Sequence, residues 1–489
     1  MTASSYLFLD LPVAVPAGFD REITGLRHDS RRVEPGDLYV AIRGARFDGR
    51  EFVGQAAERG AVAVLGAGEE PPGCPLPWLA AEDPRALLAP LAIRLYERPV
   101  DELTTIGITG TNGKSTVVWL TRAILEAAGI PCGQVGTMAY RFHDLELAAG
   151  RTTPEASDLH RILRGMADRG AEAVAMEVSS HALEMGRVAG IPFDVAVFTN
   201  LTQDHLDFHG DMETYFQAKR LLFASRAEDG VAVVNVDDPY GRRLAEGMDR
   251  LLACGSGADV EVVSARLDLD GIRATVETPR GEVEVRSPLR GSYNLENLVT
   301  AVAVGEALGL PQDAIRDGLA ESGVVPGRME PVEAGQPFPV FVDYAHTDDA
   351  LDHLLRAVRD LTRKKILLVF GCGGDRDTGK RFLMGRVAGR LADLPIVTSD
   401  NPRSEDPLAI IAAIEEGLKE SGNGQYRILP DRRDAIRRAI AIAGEDWVVV
   451  VAGKGDETGQ EVQGTVYPFS DREEIIRAVE EQRGDATDG

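Results

Sequence analysis

Residues 107–116 read GITGTNGKST, preceded by the apolar run TTIGIT and continuing into KSTVVWLTRAILEAAG. A glycine-rich turn between a strand and a helix can surround a phosphate with backbone amides, and the helix N-terminus favours negative charge there. Gly110, Thr111, Asn112, Gly113, Lys114, Ser115 and Thr116 form this candidate nucleotide loop. Lys114 suits the neutralisation of β- and γ-phosphates, and the Ser115 hydroxyl suits magnesium. The common phosphate-loop spacing asks for glycine at 108, where Ile108 stands, so the loop is a variant carried by Gly110 and Gly113. A merely structural turn is the competing reading, and the strand–loop–helix context weighs against it.

Two further runs end in side chains suited to phosphoryl chemistry. AVAMEVS places Glu177 at a strand end, and DVAVFTN leads to QDHLDFHGD with His205. Lys219 follows in YFQAKRLLF, a helical stretch. Magnesium takes oxygen ligands and usually keeps water or substrate phosphates in its shell. Singly, Glu177 reads equally as a capping acid, His205 as a satisfied polar residue and Lys219 as a surface charge. Their convergence on one sheet edge beside the loop makes them a candidate metal and catalytic set. A third cluster, IVTSDNPRSEDP at 396–407, sets Asp400, Asn401, Pro402 and Arg403 at the end of an apolar run. Proline stiffens such a loop, and arginine offers a two-pronged contact to a carboxylate. The plain alternative pairs Arg403 with Glu405 or Asp406.

The elements that position these groups are apolar strands alternating with helices, the pattern of parallel sheets in α/β layers. Ligands of such sheets gather at the carboxyl ends of the strands, where the polar residues stand here. The chain of 489 residues exceeds one ordinary core. We expect three α/β domains: a smaller N-terminal domain over 1–102, a central P-loop ATPase-like domain with a mostly parallel sheet over 103–332, and a Rossmann-like C-terminal domain over 333–489. A formal charge of −25 argues against nonspecific nucleic-acid or membrane-surface binding. There is no apolar run long enough to span a bilayer and no basic leader before YLFLDLPVAV, so neither membrane insertion nor a signal peptide is expected. Cys74, Cys132, Cys254 and Cys372 are scattered, which suits a reducing cytoplasm rather than a disulfide frame.

Beyond these local signals, GTNGKST, TTPE at 152–155, EVSSHAL at 177–183 and DHLDFHGDMETYFQAK at 204–219 occur in order with GSYNLENLVTA, PGRME, DYAHT and GCGGDRDTGKR. In these motifs the whole chain resembles the Mur ligase family, the amino-acid-adding ligases of peptidoglycan-precursor synthesis, and within it the members that add the third residue. The segment DSRRVEPGDLYVAIRGARFDGREFV from Asp29 resembles their UDP-binding domain. The resemblance implies a cytoplasmic, monomeric enzyme acting on small molecules: ATP with Mg2+, UDP-N-acetylmuramoyl-L-alanyl-D-glutamate and an incoming amino acid, joined through an acyl phosphate. It implies metal-region roles for Ser115, Glu177 and His205, and an N6-carboxylated (carbamate) form of Lys219. It assigns Asn294, Arg328 and Asp343 to the nucleotide, Ser30 to uridine, and Thr152, Thr153, Ser179 and Arg187 to the muramoyl dipeptide.

By the same resemblance the DNPR pattern belongs to members that add meso-2,6-diaminopimelate, with Arg381, Asp400, Asn401, Pro402, Arg403, Gly453 and Glu457 around that amino acid. A pocket for its distal end needs a cation for the second carboxylate, and lysine would leave that cation without a partner. Four positions depart from the family pattern: Met185, Thr378, Phe382 and Asp456. The alternatives are a lysine-adding relative, a folylpolyglutamate synthase, or a nucleotide-driven switch.

Overall fold

The computed structural model describes residues 6–44 and 47–487; Ala45 and Arg46 of the segment resembling a UDP-binding domain lie outside them. The apolar runs become strands buried on both faces. The central sheet has eight strands in the order Leu251–Cys254, Arg226–Asn235, Phe193–Phe198, Thr104–Thr109, Ala173–Glu177, Cys132–Val135, Ala139–Phe142 and Leu145–Ala148. The first six run parallel and the last two turn back. Alternate residues feed two cores: Ile106, Ala175, Val195 and Val197 face the helices Lys114–Ala127 and Ser292–Ala307, while Val174, Met176, Phe193 and Phe198 face the other side. Full burial of such side chains contributes about 1.5–3 kcal/mol each.

A five-stranded sheet precedes it, ordered Val13–Ala14, Trp78–Ala81, Ala63–Ala67, Asp37–Ala41 and Gly25–Arg27. Its helix Leu88–Leu95 packs on Ala156–Ala167 of the central layer, and Arg85–Glu155 (3.2 Å) and Arg32–Asp158 (3.1 Å) ion pairs cross the same boundary. The third sheet is ordered Glu330–Pro331, Val340–Asp343, Trp447–Ala452, Lys365–Phe370, Leu394–Val397 and Arg427–Ile428, parallel except for its first strand. That first strand precedes residue 333, so the third sheet begins a few residues ahead of the division read from the sequence. The chain is thus α/β throughout, in three sheet-centred domains.

One element had no counterpart in the sequence reading: the antiparallel sheet Glu261–Asp268, Gly271–Thr278 and Gly281–Ser287. Its strands alternate polar and apolar residues, and Ile272, Ala274, Val276, Val283 and Val285 turn their shared face into the central core. Among the described residues no helix is long and apolar enough to cross a membrane.

Candidate active site

Parallel strands place their carboxyl ends on one edge. In the central sheet Thr109 runs into the glycine-rich loop, Glu177 ends its own strand, and the strand ending at Phe198 leads on to Asp204 and His205. Gly113 has φ +85°, and a Cβ there would lie 2.3 Å from Asn297 Oδ1, so this turn requires glycine. The helix that follows has no side chain capping its N-terminus, which leaves its first amides free for an anion. The whole loop from Gly110 to Thr116 lines a cavity of about 660 Å3, with Glu177, His205, Lys219, Arg328 and Asp343.

Two ammonium groups converge on one carbonyl in this cavity. Lys114 Nζ donates to Gly110 O (2.9 Å) and Thr111 O (2.7 Å), and Lys219 Nζ donates to Gly110 O (2.9 Å). Lys219 is buried, 4.4 Å from the Tyr215 ring centre, and burial followed by repulsion from Lys114 pushes its pKa well below the usual lysine range. Burial also lowers the pKa of Lys114, with Glu177 and Asp204 opposing. Glu177 accepts hydrogen bonds from Ser115 Oγ (2.8 Å), Thr137 N (2.8 Å) and Thr137 Oγ1 (3.1 Å). Arg328 Nη2 reaches Ser115 Oγ at 3.2 Å, and its guanidinium lies 4.5 Å from the Tyr344 ring centre. Asp343 is buried and takes the amides of Met329 (2.7 Å) and Ala345 (2.8 Å). His205 adopts φ +54° with its side chain 45% exposed, and partial desolvation at the cavity wall lowers its imidazole pKa to about 4.

No group of three His, Cys, Asp or Glu side chains gathers to hold a metal among the described residues. The oxygens of Ser115 and Glu177, 2.8 Å apart in the nucleotide cavity, fit a magnesium ion that takes most of its ligands from water and phosphate. The two facing ammonium groups oppose a cation, and a carbamate on Lys219 would reverse that.

A second cavity, about 960 Å3, is bounded by all three domains. Arg31 and Arg32 line it from the first domain, Arg151, Arg161 and Arg187 from the central domain, and Asp400, Asn401, Arg403, Gly453 and Glu457 from the third. Asn401 is held firmly: Oδ1 accepts from Lys454 Nζ (3.0 Å) and Glu461 N (2.9 Å), while Nδ2 donates to Glu457 Oε2 (2.8 Å). Burial raises the Asp400 carboxyl's pKa, but Arg432 and Lys454 outweigh it and keep the group below the usual range. Arg432 is itself fully buried in a two-pronged pair with Asp471, both contacts 2.7 Å. Arg403 sits at φ +50°, donates to Gly374 O (2.7 Å) and pairs with Glu461 (3.3 Å) rather than with Glu405 or Asp406.

Several expected contacts lie behind the cavity walls. Arg381 does not line the acceptor cavity; it is buried and pairs with Glu405 (2.8 Å), so it braces the DNPR loop from behind. Pro402 also stands off that wall. Asn294 is fully buried, donates to Arg290 O (2.7 Å) and accepts from Asn297, which faces the nucleotide cavity in its stead. Thr153 is buried with Oγ1 on Glu177 O (2.8 Å), whereas Thr152 and Ser179 line both cavities. Ser30 donates to Gln55 Oε1 (2.6 Å) behind a wall formed by its neighbours His28, Asp29, Arg31 and Arg32. Arg187 faces the cavity but already pairs with Glu155 (3.1 Å). Sequence reading assigned no role to Thr137, Glu155, Lys454 or Arg432, although Glu155 closes the TTPE motif.

A variant phosphate loop on a parallel sheet, opening onto an arginine-walled cavity shared by three α/β domains, is the arrangement of a nucleotide-using enzyme. The Mur ligase middle domain matches residues 108–305, the glutamate ligase domain 327–455, and the Mur ligase catalytic domain 22–96. This chain belongs to the Mur ligase family. It is 45% identical over 485 residues to a Geobacter metallireducens protein named UDP-N-acetylmuramoyl-L-alanyl-D-glutamate--2,6-diaminopimelate ligase, covering 94% of each chain. A Streptomyces coelicolor protein of the same name is 46% identical, with 97% of this chain and 96% of that one covered. A solved structure of an enzyme so named superposes with TM-score 0.65 at 32% identity, covering 98% and 99% of the two chains.

Proposed function

We propose that this chain is an ATP-dependent amide ligase adding meso-2,6-diaminopimelate to the D-glutamate side-chain carboxylate of UDP-N-acetylmuramoyl-L-alanyl-D-glutamate, releasing ADP and phosphate. The observation that carries the proposal is the meeting of two cavities, one walled by the phosphate loop and the other by Asp400, Asn401 and Arg403. On this reading 1–102 holds the UDP end, 103–332 the ATP and 333–489 the incoming amino acid, in a cytoplasmic monomer.

A carboxylate does not accept an amine directly, because hydroxide is a poor leaving group. The carboxylate oxygen first attacks the γ-phosphorus, and ADP departs with the electron pair of the broken phosphorus–oxygen bond. Lys114 and the loop amides hold the phosphate oxygens as charge shifts. Ser115, Glu177, His205 and a carbamate on Lys219 would hold Mg2+, which supplies further neutralisation of those oxygens. The neutral amine is the form of lysine that adds carbon dioxide, and the burial of Lys219 beside Lys114 favours that form. In the second step the acceptor ammonium first gives one proton to water; the free amine then attacks the acyl carbon, the carbon–oxygen bond breaks with its electron pair going to phosphate, and the nitrogen's one surplus proton leaves with that phosphate. Closure of the third domain over the site excludes water from the acyl phosphate.

At the acceptor end Arg403 would take the distal carboxylate, exchanging its contact with Gly374 O, while Asp400 and Glu457 would take the distal ammonium. The test is phosphate release with ATP, Mg2+ and the UDP-dipeptide, comparing meso-diaminopimelate with L-lysine, with the product weighed by mass spectrometry. A tripeptide product formed only with diaminopimelate supports the proposal. Preference for lysine keeps the ligase and removes the assignment of Arg403. No turnover with either amine removes the ligase reading.

A further inference from the structure

Asp400 stands on the acceptor wall as a carboxylate without a cation in contact. It lines the larger cavity, and Oδ1 accepts from the neighbouring Asn401 N (2.6 Å). Among the described residues it makes no ion pair, and Oδ2 accepts no hydrogen bond. Burial disfavours the charged form of such a group, so something behind the wall must oppose it. Arg432 and Lys454, both buried, are the cations there. Lys454 is committed to Asn401 Oδ1 (3.0 Å) and Glu457 Oε2 (2.6 Å), which leaves Arg432.

Arg432 lies on the helix Arg432–Ile442 and lines neither cavity. Nε and Nη2 donate to the two oxygens of Asp471 (both 2.7 Å), and Nη2 also donates to Ala452 O (2.9 Å). Nη1 is buried with no hydrogen-bond partner among the described residues. Asp471, fully buried, opens the C-terminal helix Asp471–Thr487. A Cβ built on Gly453 would lie 2.5 Å from Asp400 Oδ2 and 3.9 Å from Arg432 Nη2. Carboxylate and guanidinium therefore flank one glycine without closing into a pair. Leaving a buried donor unpaired costs stability. The arrangement makes sense if the guanidinium serves Asp400 by its charge while Asp471 holds it to one side. This buried group formally sets three carboxylates, Asp400, Glu457 and Asp471, against two cations, so the missing charge is that of one ammonium.

We infer that Arg432 and Asp471 are positioning residues for the incoming amino acid: Arg432 holds Asp400 as an unpaired anion facing the cavity, and Asp471 keeps the guanidinium from closing on it. The C-terminal helix thereby sets the subsite for the distal ammonium without touching the ligand. The inference rests on the ligase reading, in which Asp400 takes that ammonium.

The test compares Arg432→Gln, Arg432→Lys and Asp471→Asn with wild type in the full chain, with ATP, Mg2+ and the UDP-dipeptide. Two amino acids are used: meso-diaminopimelate, and 2-aminopimelate, which keeps both carboxylates and one amine but lacks the distal amine. The second is read by its competition against the first, so it need not be turned over. In Arg432→Gln the KM for diaminopimelate should rise about tenfold or more, with kcat, KM for ATP and the inhibition constant of 2-aminopimelate within about threefold of wild type. Arg432→Lys should recover part of the loss, because it keeps a positive charge behind the wall. In Asp471→Asn the released guanidinium closes on Asp400, and the KM for diaminopimelate should again rise, by more than about threefold, while 2-aminopimelate is unaffected. Equal losses for the two amino acids overturn the inference, since a general disturbance of the domain would not distinguish them. A diaminopimelate KM within about threefold of wild type in Arg432→Gln overturns it as well. If melting curves show that neither Arg432 variant folds, Asp471→Asn decides by the same comparison. A wild-type chain that forms no amide with diaminopimelate removes the ligase reading itself, before any variant is compared.

Discussion

Lys219 brings a second amine into a site already occupied by Lys114: both donate to the carbonyl of Gly110, and burial beside Lys114 disfavours the charged form of Lys219. Carboxylation of Lys219 would relieve this by placing an anion beside Lys114. Lys219→Ala should therefore lose activity by about a hundredfold or more, and short carboxylates such as acetate should restore part of it. Full activity of that variant in the phosphate-release assay would remove the carbamate. The same scale shows what residue type alone conveys. Arg381 and Arg403 are both arginines of C-terminal-domain motifs, yet one faces Glu405 behind the loop while the other reaches the cavity. Asn294 and Asn297 lie one helical turn apart, and only the second faces the nucleotide cavity. Direction within a turn depends on packing, which a motif does not carry.

At the scale of elements, the helix Ala156–Ala167 ties the first domain to the second and hides His160. Both ring nitrogens of His160 are buried without hydrogen-bond partners, and burial, with Arg98 adding to it, lowers its pKa to about 4 from an ordinary 6.5. The unfolded chain then binds the proton more readily between those values. Stability from the neutral ring is complete above about pH 6.5 and falls as pH drops toward 4. Between pH 7 and 5 wild type should lose about 2 kcal/mol more than His160→Gln in urea unfolding. Equal losses would show that the ring does not titrate on unfolding. The parallel strands were legible because runs such as VVVVA at 448–452 are apolar throughout, as burial on both faces requires. The antiparallel sheet over 261–287 was less legible: its first strand, EVVSARLD, sets Val262 beside Val263 at a register shift, and the sheet's partner surface is the distant central core.

Across the whole molecule, the third domain meets the phosphate loop through Asp349. Its Oδ2 accepts from Asn112 Nδ2 (2.9 Å) and from Thr202 Oγ1 (2.9 Å). Asp349 also lines the nucleotide cavity, so domain position and nucleotide binding share one carboxylate. Asp349→Ala should weaken binding of a nonhydrolysable ATP analogue by about tenfold, as expected for loss of charged hydrogen bonds, with little change in melting temperature. Calorimetry on the two proteins checks this, and unchanged affinity would make the contact incidental. By itself the sequence determined the α/β class, the order of the three domains and the loops at strand ends, because strand burial and glycine turns are set within a few residues. The tertiary structure decided which side chains face a cavity: it turned Arg381 and Asn294 inward and paired Arg403 with Glu461. Those outcomes depend on how each turn packs against its neighbours, as Asn294 does on Arg290, Arg381 on Glu405 and Arg403 on Glu461, and on the relative placement of domains that local spacing does not encode.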